Sequence, residues 1–230
     1  MFRNIQNFVL KDIVLEVKNI RSLQLLKNIF PGYLPWTGAS IHPTALLYLL
    51  NDITIHQRKH IVECGSGIST VYICSLIKQM GLDIKFDSID HDEKWISILR
   101  QILISNQLIE YVNLIHAPLK PCSECLHKDG VWYDLNRIQS LLKDSSSIDL
   151  LFVDGPPAKL LNQKHSRYPA VPVFLSNIGS DYSIILDDIS RKGERDIVKE
   201  WEKKYNLEFK NKILSGNISI AQSGNSYNVL

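Results

Sequence analysis

From His60 onward the chain alternates short apolar runs with stretches of helical period, and this alternation limits its folds more than any other feature. Ile61–Cys64, Ile84–Asp90, Tyr111–His116, Ile148–Val153 and Ser183–Leu186 read as strands. Between them, Ser69–Met80, Asp92–Gln107 and Leu135–Leu142 read as helices, and Arg191–Tyr205 follows the fifth strand as a long charged one. Strands that are apolar along their length, separated by helices, form a parallel sheet covered on both faces. Leu207–Lys212 and Asn217–Ala221, joined at Ser215-Gly216, read as a closing antiparallel hairpin. In such sheets ligands bind beyond the carboxyl ends of the strands, near the reversal of strand order. Chemistry-bearing residues are therefore sought there.

Residues 1–55 read differently. Leu15, Val17, Ile20, Leu23, Leu26 and Ile29 recur as on an amphipathic helix, Pro31 to Gly38 break it, and a second helix follows Pro43. This divides the chain into an N-terminal helical extension or lid, 1–55, and a main domain, 56–230. Helices of the extension offer a surface for homo-oligomer formation. With 22% charged residues and a net charge of +2, nothing marks the chain as a nucleic-acid or membrane binder. It lacks a spanning apolar run and a secretory leader, so the cytoplasm is the expected compartment. Cys122 and Cys125, flanked by His116 and His127, allow a tetrahedral zinc site to be drawn, against the plainer reading of a polar loop with incidental thiols.

Four strand ends carry the candidate site. The first is Glu63-Cys64-Gly65-Ser66-Gly67-Ile68-Ser69-Thr70. Two glycines permit a sharp turn and close approach to a ligand, and the helix behind them presents unpaired N–H groups with a positive dipole end. That suits the carboxylate of an amino-acid moiety, with Glu63 as acceptor for its ammonium. A dinucleotide turn would want a third glycine where Thr70 stands. The second strand ends in Asp90, 23 residues after Gly67, where an acid bonds ribose hydroxyls; the alternative is a helix cap, for which Asp92 competes. His91 is placed to cover an adenine face. The fourth strand ends in Asp154-Gly155-Pro156-Pro157 and the fifth in Asp187-Asp188. Three acids on one rim repel unless neutralised. A divalent cation on Asp154, Asp187 and Asp188 would do so; capping and backbone bonding by the same acids is the alternative.

These runs, with Arg167-Tyr168-Pro169-Ala170, together resemble the class I S-adenosylmethionine-dependent methyltransferases, within them the bacterial O-methyltransferase-like group. The resemblance covers about residues 34–205. It implies a Rossmann-like, mostly parallel seven-stranded sheet with helices on both faces and an antiparallel last strand. It also implies S-adenosylmethionine as cofactor, contacted by Glu63, Gly65, Ser66, Gly67 and Asp90. Ser69, Thr70, His91 and Asp154 complete the candidate cofactor set. Related catechol-type enzymes hold Mg2+ through acids matching Asp154, Asp187 and Asp188, though their third ligand is often Asn.

Methyl transfer from a sulfonium is an in-line displacement that asks mainly for alignment. For a hydroxyl acceptor, on a small molecule or a sugar, the developing oxyanion needs a cation or a base. Asp154, Asp187, His91 and Lys159 are the catalytic candidates, with His165 and Arg167, the latter as charge partner. The rival reading is a cofactor- or nucleotide-binding protein of the same fold without catalysis.

Overall fold

The computed structural model describes residues 2–158 and 163–223. Helix α1 (Phe2–Leu26) leads to α2 (Pro43–Ile55), and then β1 (His60–Cys64), α3 (Ile68–Met80), β2 (Lys85–Asp90) and α4 (Glu93–Ser105) follow. After a 3-10 turn come β3 (Asn113–His116), β4 (Leu119–Pro121), β5 (Val131–Tyr133), α5 (Gln139–Leu142) and β6 (Ile148–Val153). The rest comprises α6 (Ala170–Phe174), β7 (Ile178–Leu186), α7 (Lys192–Tyr205), β8 (Phe209–Lys212) and β9 (Ile218–Gln222).

Seven strands make one sheet in the order β3-β2-β1-β6-β7-β9-β8, and β4 with β5 forms a separate hairpin. Pairings among the first five are parallel, whereas β9, last among the described residues, runs antiparallel between β7 and β8. The fold is the expected one. Strand order reverses between β1 and β6, which puts a crevice beyond Cys64 and Val153.

Period-two alternation divides the interior into two cores. Ile61, Leu150, Phe152, Ile185 and Ile220 face one side, packed under α2, α3 and α4, with Leu26, Phe30 and Leu34 of the N-terminal stretch in the same cluster. Val62, Cys64, Leu151, Val153 and Ile184 face the other, under α6 and α7. Burying whole strands on both faces is what the continuous apolar runs require.

Two local expectations fail. The helix sought at Leu135–Leu142 starts only at Gln139, because Asp134 accepts from the Asn136 N–H and its carbonyl accepts from Arg137, closing a turn first. Strands β4 and β5 went unforeseen, each only three residues long. Their connection carries Cys122 and Cys125. The zinc constellation does not assemble: His116 bonds the His91 carbonyl, His127 bonds His165, and Cys122 packs into the second core. Among the described residues, only Asp154, Asp187 and Asp188 converge as a metal-ligating group.

Candidate functional site

A cavity of about 520 Å³ opens beyond the carboxyl ends of β1, β2 and β6. The glycine turn, Asp90, His91, Asp154 and the segment Pro35–Ile41 wall it, with Trp95, Tyr133, Arg167, Asp188 and Arg191.

Glu63 lies beneath the turn, fully buried and outside the cavity wall. Its carboxylate accepts from the hydroxyls of Ser69, Thr70 and Ser88, each at 2.5 Å. Burial pushes this carboxyl up to about 7, the three hydroxyls opposing it. Glu63 thus ties the first turn of α3 and strand β2 to the end of β1. Thr70, likewise behind the wall, also accepts from the Gly67 N–H at 2.8 Å. Gly65, Ser66, Gly67 and Ser69 face the cavity, the first at φ +99°, where any side chain is strained.

Asp90 ends β2 with one oxygen on the Ser66 N–H at 3.0 Å and the other on the Asp92 N–H at 2.9 Å. The helix cap is Asp92, which accepts from Lys94 and Trp95. Asp90 is therefore free of that duty and lines the cavity beside the turn. His91 Nδ1 stands 3.2 Å from Asp90 Oδ1, and this carboxylate raises the imidazole above its ordinary pKa. Trp95 is half-buried and donates from its indole to the Ser66 carbonyl at 2.8 Å.

Gly65 and Gly155 meet back to back. A Cβ on Gly65 would lie 2.8 Å from the Gly155 nitrogen, and one on Gly155 would lie 2.7 Å from the Gly65 Cα and 2.4 Å from the Tyr133 hydroxyl. The turn after β1 and the turn after β6 therefore fit only as two glycines. Tyr133, on β5, is buried, and its hydroxyl lacks a hydrogen-bond partner among the described residues.

The acid rim is assembled as the spacing suggests, with ligand atoms of Asp154, Asp187 and Asp188 all within 4.8 Å of one another. Asp187 lies behind the wall; burial and then the charge of Asp188 push its carboxyl up to about 7. Asp154 is raised by burial first and then by Asp187. What the sequence reading did not place is the cation inside this group. Arg167 Nη2 lies 3.0 Å from Asp154 Oδ1 and 3.1 Å from Asp188 Oδ2, and it donates to the Asp154 carbonyl at 2.7 Å. Nη1 donates to the Asp187 carbonyl at 3.2 Å and lies 3.7 Å from buried Glu194. Arg191 reaches Asp188 at 2.6 Å. Lys159 lies outside the described residues.

A family model described as a methyltransferase domain matches residues 62–189. Among solved structures, the SAH-bound methyltransferase of Podospora anserina is similar at 12% identity and TM-score 0.59, covering 90% of this chain and 88% of its own. An O-methyltransferase from Bacillus cereus in complex with SAH aligns at 15% identity and TM-score 0.58, over 90% of this chain and 91% of its own. The O-methyltransferase TomG of Streptomyces achromogenes, solved with SAM and named for tomaymycin synthesis, aligns at 14% and TM-score 0.54, over 90% of each chain. Identities this low speak for the fold alone. No curated protein matches the chain.

Proposed function

The chain belongs to the methyltransferase-domain family, and on that premise we propose that it transfers a methyl group from S-adenosylmethionine to a hydroxyl oxygen of a small molecule or sugar. One observation carries this reading: a cavity bounded at one end by a glycine turn with Asp90, and at the other by a carboxylate rim. The turn and the start of α3 supply N–H groups for the methionine carboxylate, and Asp90 retains lone pairs for the ribose. His91 covers the adenine. Glu63 acts by holding Ser69 and Thr70 in place, with its three hydroxyl partners already on both oxygens.

In the transfer, the acceptor oxygen forms its bond to the methyl carbon while the carbon–sulfur bond breaks toward sulfur, and the hydroxyl proton leaves to a base or to water. Asp154, Asp187, His91 and Lys159 remain the proposed catalytic set. The convergence of three carboxylates is what supports a metal-assisted variant, in which Asp154, Asp187 and Asp188 would hold a divalent cation such as Mg2+ to stabilise the oxyanion. The guanidinium already among them supports the variant with an internal cation instead. Thr37, Ser40 and Ile41 of the 34–41 segment line the cavity, which supports a lid role for the 1–55 extension. Leu10, Ile13, Val17 and Ile20 of α1 are exposed, which supports association of copies there, to be read by sedimentation. No described helix is long and apolar enough to cross a membrane, and the cytoplasm is the proposed setting.

Calorimetric titration with S-adenosylhomocysteine and with NAD tests the cofactor: saturable binding of the thioether and none of NAD is expected, and the reverse overturns the reading. Methyl transfer to none of a panel of phenols, sugars and hydroxy acids, despite cofactor binding, would instead favour the non-catalytic alternative.

A further inference from the structure

Resting on the methyltransferase reading, we propose that Arg167 takes the place of a divalent cation in the acid rim, so that this chain binds no catalytic metal there. The three carboxylates are hard oxygen donors of the right kind. Their arrangement does not leave them open. Nη2 of Arg167 already lies between Asp154 Oδ1 and Asp188 Oδ2, at 3.0 and 3.1 Å, in the space a cation shared by these oxygens would need. The third carboxylate is turned inward: Asp187 Oδ1 accepts from the Asp188 N–H at 2.7 Å.

Nor can the guanidinium step aside cheaply. It is buried, and it also donates to the main-chain carbonyls of Asp154 and Asp187, the residues that follow β6 and β7. Moving it away would orphan both carbonyls and leave a permanently charged group to be buried elsewhere. Asp188 is held a second time by Arg191 at 2.6 Å, and Glu194 faces both arginines from α7 at 3.6–3.7 Å. A metal would have to displace two cations that the chain supplies itself. Arg167 is thus a positioning residue: it fixes Asp154 and Asp188 across the gap between two strand ends and keeps positive charge beside them.

Mn2+ binding, followed by electron paramagnetic resonance and calorimetry on the full chain, tests this independently of turnover. At about 1 mM Mn2+, a level that fills weak carboxylate sites, the unaltered protein is expected to bind no ion at the rim. Arg167→Met is expected to take up one equivalent, abolished by adding Asp154→Asn, and Arg167→Lys is expected to restore exclusion. One equivalent bound by the unaltered protein and lost in Asp154→Asn overturns the proposal, as does a folded Arg167→Met that still refuses the ion. If Arg167→Met does not fold, the unaltered protein and its Asp154→Asn variant decide. Titration of the same sample with S-adenosylhomocysteine keeps the two readings apart, since absent cofactor binding sinks the proposed function and leaves the metal result standing.

Discussion

Replacing Glu63 by glutamine keeps its shape and turns one acceptor into a donor aimed at hydroxyl groups. Three buried hydroxyls then compete for a single carbonyl oxygen, and at least one must reorient. Affinity for S-adenosylhomocysteine is expected to fall by about tenfold, the equivalent of one to two hydrogen bonds of net worth near 1 kcal/mol, measured by calorimetry. The same residue makes stability depend on pH. Its folded pKa, about 7, lies above the ordinary 4.5, so the folded chain holds a proton that the unfolded chain releases. This contribution is complete below pH 4.5 and is lost as pH rises through 7. Thermal melts of the unliganded protein should show that fall, and Glu63→Gln should flatten it. Trp95→Phe removes the indole donor to the Ser66 carbonyl, and severalfold weaker cofactor binding with a near-normal melting temperature is expected. Sequence alone singled out Glu63 and Asp90, since one lies next to the end of β1 and the other ends β2 at the crevice. It did not show that Glu63 faces away from the cavity, because a strand's period tells which face a side chain takes and not which hydroxyls await it. Arg167 was visible only as a charge partner, and its place among three acids depends on loops whose path no periodicity encodes.

At the scale of elements, the two glycine turns are the tightest joint. Alanine at Gly155 would press its methyl on the Tyr133 hydroxyl at 2.4 Å and on the Gly65 backbone at 2.7 Å, and the turn cannot retreat without moving β6. Gly155→Ala is expected to cost several kcal/mol or to prevent folding, read by denaturant unfolding. Gly67→Ala is the control: its Cβ would meet nothing within 4 Å, so stability should change little while the added methyl narrows the cofactor end of the cavity. β1, β6 and the Ser183–Leu186 end of β7 were legible because they are runs buried on both faces. The β4–β5 hairpin was not, since three residues are too few to display a period, and its buried Trp132 and Tyr133 carry the packing instead.

The whole molecule is polarised. At the amino ends of the strands Asp52 accepts from Arg58 at 3.0 Å and from Ser183 and Gln222 at 2.8 Å, and His60 pairs with Asp87 at 3.0 Å. Breaking this set by Asp52→Ala leaves a buried guanidinium with less compensation, for an expected loss of about 3–5 kcal/mol. Cofactor affinity should stay unchanged in material that remains folded, because the cavity lies at the opposite edge. The cavity walls come mainly from residues 35–41, 65–69, 90–95 and 154–158, with Tyr133, Arg167, Asp188 and Arg191 completing them. Foundation and walls are thus separate parts: side chains of the wall segments can change without touching the polar set that closes the far end of the sheet.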